Sequence, residues 1–282
     1  MKIRYWGTAA AEGIPALFCD CKVCREAREK GGRYVRMRSQ VMFDDSLLMD
    51  FGPDTYANTV RFGFDLSALK DMVITHVHYD HFYPTDLFCR QIGMGTVINT
   101  PTLTLHGSAD VREKAMRAWA LDAPQGADKL LKQNRVAFAE MLPYQTYEIG
   151  AFKVTPLPAT HDTEYPYVYI FEKDSKTVFM YNDSGYLRDE TMTWLKEKGV
   201  QFDLVSYDCT YGEKCASARH MGIPNNLEMQ RRFIENGNYK GSTVSVITHF
   251  SHNIQTVGYG DMEKIARENG FVLAYDGLEI EI

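Results

Sequence analysis

The chain has 282 residues, enough to bury a large core without disulfide staples. Hydrophobic residues make up 45% and charged residues 24%, which excludes a disordered or fibrous chain. The formal net charge of −6 argues against a protein built to coat nucleic acid, and no apolar run approaches the ~18 residues of a membrane span.

The first residues, Met1 to Ala11, lack the apolar core of a secretory signal, so a cytoplasmic location is expected. Lys2–Trp6 reads as a strand. Six cysteines are too few for a disulfide scaffold, yet Cys19, Cys21 and Cys24 fall within six positions. In a reducing compartment that clustering reads as metal binding, whereas Cys89, Cys209 and Cys215 are expected as core or surface thiols. Gln40–Phe43 and Ser46–Met49 flank Asp44-Asp45, which suits a tight hairpin. Met72–Thr75 is an apolar run of the buried-strand kind. The segment of about 100–150 is expected as a helical insertion, in which Asp110 caps a helix with Val111, Ala115, Ala118 and Trp119 on one face. Strands are expected at Phe152–Leu157, Tyr167–Phe171, Thr177–Tyr181, Leu204–Tyr207, Val244–Thr248 and Val272–Tyr275. Asp189, Asn226 and Asp261 can each cap a helix, and Asn236-Gly237 and Asn269-Gly270 end the last two. Strands and helices interleave over the whole length, which predicts one layered α/β domain over 1–282.

The sharpest feature is Thr75-His76-Val77-His78-Tyr79-Asp80-His81, directly after an apolar strand. In an extended segment residues two apart share a side, so His76 and His78 can converge on one metal ion. Asp80 and His81, where the chain turns away, can reach a second. Three later strands also end in a ligand-type side chain: His161 after Val154–Ala159, Asp183 after Val178–Tyr181 and His249 after Val244–Thr248. Such residues from separate segments build one site along one edge of a sheet core. His106 stands alone and is expected as an ordinary structural histidine.

In this motif and the later His161, Asp183 and His249 the sequence resembles the metallo-β-lactamase superfamily of hydrolases. The resemblance implies a four-layer αββα sandwich with two divalent ions, zinc, manganese or iron, at one edge. His76, His78 and His161 would hold the first ion, Asp80, His81 and His249 the second, and Asp183 would bridge both. No cysteine ligand of the true β-lactamase type is present, which disfavours β-lactam hydrolysis. Gly7-Thr8-Ala9-Ala10-Ala11-Glu12-Gly13-Ile14-Pro15-Ala16, the cysteine cluster and His249-Phe250-Ser251-His252 resemble the PhnP-type phosphodiesterase subgroup. That likeness implies that Cys19, Cys21, Cys24 and His252 hold one structural zinc on a loop at 13–39. It also makes His220 a general acid or a phosphate contact, although Met221-Gly222 follows it where the subgroup has Cys-Asp.

Bound metal can bring the pKa of water from ~15.7 to about 7. The implied nucleophile is a hydroxide between the two ions, with Asp80 among the catalytic residues. Neutral histidines and two carboxylates leave the ions with surplus positive charge, which suits an anionic substrate. The expected activity is a metal-dependent phosphodiesterase on a small phosphate diester, cyclic ones included. The alternatives are a tRNA-processing-type endoribonuclease, an ester, thioester or lactone hydrolase of the same superfamily, and a non-catalytic metal-binding scaffold. The endoribonuclease predicts a separate basic arm, which is not seen, so nucleic acid is disfavoured as a partner, as is a membrane. A homodimer is left open. The basic stretch Lys22, Arg25, Arg28, Lys30, Arg33, Arg36 and Arg38 reads either as a rim that attracts phosphate or as a solvated face. Tyr79, Phe82 and Tyr83 either line the cleft or pack in the core.

Overall fold

The central strands are buried on both faces, which sorts the chain into layers. A computed structural model of the protein describes residues 1–92, 100–122, 126–216, 218–253 and 257–282. The first sheet is built from β1 (Lys2–Gly7), β2 (Gln40–Phe43), β3 (Leu47–Met49), β4 (Asp71–Val73), β5 (Leu103–Gly107) and β6 (Val136–Glu140). The second comprises β7 (Tyr147–Ile149), β8 (Phe152–Pro158), β9 (Tyr167–Lys173), β10 (Lys176–Tyr181), β11 (Phe202–Asp208), β12 (Tyr239–Thr248) and β13 (Val272–Leu273). β14 (Leu278–Glu281) returns to pair with β1, so the orders are β14-β1-β2-β3-β4-β5-β6 and β13-β12-β11-β10-β9-β8-β7.

Residues of alternate register face opposite ways. Ile3, Tyr5, Val41, Phe43, Val178, Met180, Leu204 and Val246 meet between the sheets in one core. Phe43 stacks on Phe171 across that gap with ring centroids 4.2 Å apart, a pairing worth ~0.5–1.5 kcal/mol beyond its buried area. The other face of the second sheet, with Phe179, Tyr181, Phe202 and Tyr207, packs under helices. These are α1 (Lys22–Lys30), α5 (Asp189–Glu197), α6 (Ile223–Glu235) and α7 (Tyr259–Glu268), which contribute Val23, Leu195, Phe233 and Met262. The other face of the first sheet, with Met42, Leu48, Met72 and Leu105, packs under α2 (Thr55–Phe62), α3 (Ala109–Asp122) and α4 (Gly126–Lys132). The result is the expected αββα sandwich. Among the described residues no helix is long and apolar enough to cross a membrane.

Three expectations need correction. The 100–150 segment holds α3 and α4, but it also holds β5, β6 and β7, and β5 and β6 form one edge of the first sheet. Leu103, Leu105 and Val136 are buried there, so this segment carries part of the sandwich core rather than a cap laid over it. Asn226 lies inside α6, which starts three residues earlier with Pro224 in its first turn. Its Nδ2 donates to the Asp208 carbonyl at 2.8 Å instead of capping. Asp110, Asp189 and Asp261 likewise sit in the first turns of α3, α5 and α7 rather than at the caps, where a carboxylate complements the helix dipole, while Arg188 and Gly258 occupy the caps of α5 and α7.

Strand direction positions the site. β3 and β4 run parallel in the first sheet, as do β10, β11 and β12 in the second. β8 shares the direction of β10, since both are antiparallel to β9. The carboxyl ends of these strands therefore open on one edge, the place where open α/β sheets leave a crevice.

Candidate metal centre

Every expected edge residue follows one of those strand ends, and the structure brings them together. His76 Nε2 and His161 Nε2 each lie 3.0 Å from His78 Nδ1. Asp183 Oδ2 is 3.3 Å from His76 Nε2 and 3.4 Å from His161 Nε2. Beside this group His81 Nε2 lies 3.3 Å from Asp80 Oδ2, 3.2 Å from Asp183 Oδ2 and 3.3 Å from His249 Nε2. Two ligand-type groups thus share Asp183, and within each the donor atoms all fall within 4.8 Å of one another. Donors held ~2.1 Å from a tetrahedral ion sit roughly 3.4 Å apart, so the spacing fits a divalent metal. Facing imidazole nitrogens share at most one proton between them, and an ion resolves that conflict.

The sequence reading missed the groups that aim these rings. Asp50, fully buried after β3 with φ at 67°, accepts from the Thr75 amide at 2.9 Å and sits 2.6 Å from His81 Nδ1. Asp208 Oδ2, at the end of β11, lies 3.2 Å from His249 Nδ1, and Thr210 Oγ1 lies 2.8 Å from the same nitrogen. Thr75 Oγ1 lies 3.1 Å from His76 Nδ1. With Nδ1 engaged, each of these rings presents Nε2 inward, as outer partners of metal-binding histidines do. His161 Nδ1 is buried and finds no such partner among the described residues. Asp50 and Asp208 carried the strand-end signal that singled out Asp183.

The motif segment is held by its backbone. The Phe51 amide donates to the His81 carbonyl and the Tyr83 amide to the Phe51 carbonyl, both at 2.7 Å. A Cβ on Gly52 would lie 2.1 Å from the Asp80 carbonyl oxygen, so only glycine lets the loops approach this closely. Lys114 Nζ on α3 donates to the Val77 carbonyl at 2.6 Å. Phe82 is fully buried, whereas Tyr79 is half exposed with its hydroxyl on the Ala11 carbonyl at 2.6 Å.

The groups balance one another electrically. Burial pushes His76 well below the ordinary imidazole range. Burial also opposes charge on His81, but Asp80 and Asp50 outweigh it and raise its pKa well above that range. Asp183 keeps its charge against burial because His249, His220 and His81 surround it.

His220 joins the centre too. Its Nδ1 lies 3.0 Å from Asp183 Oδ1 and 3.4 Å from Asp208 Oδ2. Burial opposes its charge, yet those carboxylates raise its pKa to about 10. A Cβ on Gly185 would lie 1.8 Å from the Ala218 carbonyl oxygen, so glycine there lets the His220 loop close against the turn after Asp183.

The four donors of the N-terminal cluster also meet. Cys19, Cys21, Cys24 and His252 lie within 4.8 Å of one another, with Cys21 Sγ 3.6 Å from His252 Nδ1. The Ala16 amide donates to Cys24 Sγ at 3.3 Å and the Cys21 amide to Cys19 Sγ at 3.4 Å. Burial opposes ionisation of Cys21, but the Cys24 amide and His252 pull its thiol down to about 6. Several of the basic residues are engaged within the fold rather than free at a rim. Arg28 donates to the Cys19 and Ala16 carbonyls at 2.7 and 3.0 Å, and Arg38 pairs with Asp54 at 2.8 Å. Arg36 is buried, with Nη1 donating to Thr8 Oγ1 and the Ala274 carbonyl, both at 2.7 Å. His106, outside both clusters, pairs with Asp71 at 2.8 Å.

Six imidazoles and three carboxylates at one edge of an αββα sandwich define a hydrolase of the metallo-β-lactamase fold. A family model described as a beta-lactamase superfamily domain matches residues 46–249, and the chain belongs to that superfamily. Among solved structures, a diphosphatase from the PhnP family is 20% identical with a TM-score of 0.74, covering 100% of this chain and 97% of that one. The metallo-beta-lactamase fold protein YhfI from Bacillus subtilis is 21% identical with a TM-score of 0.68, covering 100% and 99%. The short form of human tRNase Z is 18% identical with a TM-score of 0.65, also covering 100% and 99%. These likenesses show the fold. No curated protein matches the sequence significantly.

Proposed function

We propose that the protein is a dinuclear metal-dependent phosphodiesterase acting on a small phosphate diester, cyclic ones included. The observation that carries this reading is the pair of donor groups joined through Asp183. His76, His78 and His161 with Asp183 would hold one zinc, manganese or iron ion, and Asp80, His81 and His249 with Asp183 the other. Two such ions would supply activated water and offset charge at phosphorus. The remaining steps fall to the chain's own side chains. Asp50 and Asp208 keep His81 and His249 turned toward Asp183. His220, held between Asp183 and Asp208, is placed to give a proton to a departing alkoxide or to hold a phosphate oxygen. Mostly neutral donors leave surplus positive charge at the edge, which favours an anionic substrate.

Metal-loaded protein is expected to cleave bis(para-nitrophenyl) phosphate or a cyclic nucleotide. Hydrolysis of thioesters or lactones with no phosphodiester cleaved would overturn the reading. His220→Ala is expected to lower kcat by ~100- to 1000-fold with both edge ions retained, as elemental analysis would show. Unchanged kinetics would remove His220 from the mechanism.

We further propose that Cys19, Cys21, Cys24 and His252 hold one structural zinc. The six unpaired cysteines suit a reducing compartment such as the cytoplasm. Cys21→Ser is expected to lose one zinc per chain and to lower the melting temperature, while the edge ions stay. Loss of the edge ions with the third retained would show that the two assignments are exchanged.

A further inference from the structure

An ion pair stands at the mouth of the metal centre. Asp162, next to His161, holds Oδ1 3.3 Å from His161 Nε2 and 3.8 Å from His78 Nε2. Its other oxygen, Oδ2, pairs with Nη1 of Arg219, the residue before His220. One carboxylate thus spans from a donor nitrogen of the first group, His161 Nε2, to a guanidinium. The side chains are 45% and 54% exposed, so the pair contributes little to stability and exchanges readily. Its geometry is nonetheless set from behind. Ala218 is seated against Gly185, and a Cβ there would also lie 3.2 Å from Arg219 Cα. His161 follows a turn in which the Thr160 amide donates to Ser184 Oγ at 2.9 Å. The backbone therefore brings Arg219 to the mouth whether or not Asp162 holds it.

A guanidinium takes carboxylate and phosphate through the same planar fork. We propose that Arg219 is the specificity-determining contact for the substrate's phosphate and that Asp162 is a built-in competitor occupying the phosphate's place. An incoming phosphate would put one non-bridging oxygen toward the cationic centre that these residues would hold and the other on Arg219, and Asp162 swings out to solvent. No bond is made or broken in the exchange. Anions without a second oxygen cannot reach the centre and Arg219 at once, so the pair selects phosphate-type groups over small monodentate anions. The inference deepens the phosphodiesterase reading and rests on it for the identity of the substrate.

The test combines kinetics with inorganic phosphate as a binding probe on the metal-loaded protein. Arg219→Ala is expected to raise KM for bis(para-nitrophenyl) phosphate and to weaken phosphate binding by calorimetry, each by about 10-fold or more, with kcat within a few-fold. Arg219→Lys should recover only part of the loss. Asp162→Asn should tighten phosphate binding several-fold, and that gain should vanish in the Arg219→Ala background. Unchanged KM and phosphate affinity in Arg219→Ala overturn the proposal, as does a wild-type protein that binds no phosphate. A gain from Asp162→Asn that persists without Arg219 overturns the competitor role, since it then reflects only a removed negative charge. If the wild type cleaves no phosphodiester but Arg219→Ala still loses phosphate affinity, the anion contact stands and the phosphodiesterase reading falls.

Discussion

Asp183→Asn is expected to lower kcat/KM for a phosphodiester by about 1000-fold or more and to release at least one edge ion per chain. Asp183 is the one side chain common to both donor groups, and its other oxygen lies 3.0 Å from His220 Nδ1. Its carboxylate is 5% exposed and faces His76, His81, His161, His220 and His249. Asparagine keeps the shape but offers a single neutral acceptor, so five imidazoles lose the charge that offsets them. Elemental analysis beside steady-state kinetics checks this, and the zinc proposed for the cysteine cluster is the internal control. An asparagine variant that keeps both edge ions and a near-normal rate would exclude a shared carboxylate at this position. Loss of rate with all metals retained would confine Asp183 to orienting His220.

Asp276→Ala is expected to destabilise the fold by ~2–4 kcal/mol, the cost of leaving buried donors without their acceptor. At roughly 2–4 °C per kcal/mol for a chain of this size or somewhat smaller, the melting temperature should fall on the order of 10 °C. Asp276 accepts from Thr8 Oγ1 at 2.7 Å and from the Met37 amide at 2.6 Å, and pairs with Arg61 at 3.2 Å. Arg36 shares Thr8 with it and lies over the Phe250 ring, 4.3 Å from its centroid. Removing the carboxylate leaves the Thr8 hydroxyl, the Met37 amide and Arg61 without their acceptor and takes away a negative charge near buried Arg36. The same network ties the N-terminal loop to the chain just after His249, since the Phe250 amide donates to the Thr8 carbonyl and the Ala10 amide to the Phe250 carbonyl. Asp276→Asn, which can still accept from Thr8 and Met37, should cost less. A shift of the urea midpoint no larger for alanine than for asparagine would remove the lost-acceptor argument.

The ligand-type residues were legible because each is anomalous where it stands. His76, His161, Asp183 and His249 follow apolar strands, and burying such groups without a partner is costly. Most strand positions were legible from their apolar runs, and the Asp44-Asp45 turn from residues that tolerate the left-handed φ of 45° and 55° they adopt. Asp50 and Asp208 gave the same signal as Asp183 but escaped notice, since a lone carboxylate after a strand serves equally well in a turn or a cap. The joining of Cys19, Cys21 and Cys24 with His252 needed the resemblance, because spacing says nothing about partners more than two hundred residues away. Segment 100–150 was misread because β5 and β6 are short and only partly buried, so the stronger helical pattern of Val111, Ala115 and Trp119 dominated. The Asp162–Arg219 pair was invisible because two exposed charges in separate loops carry no periodicity.

Gly52 and Gly185 have a consequence for how this centre can change over evolutionary time. Neither adopts a positive φ, so alanine would meet no conformational penalty at either. What forbids it is the neighbouring peptide, which already fills the volume of a methyl group. A saturation library would therefore score both as indispensable although neither carries a reactive atom, and selection for new substrates would leave them untouched. Diversification is channelled instead to the mouth, around His78, Asp162 and Arg219, where side chains can be exchanged without moving the frame that aims the histidines.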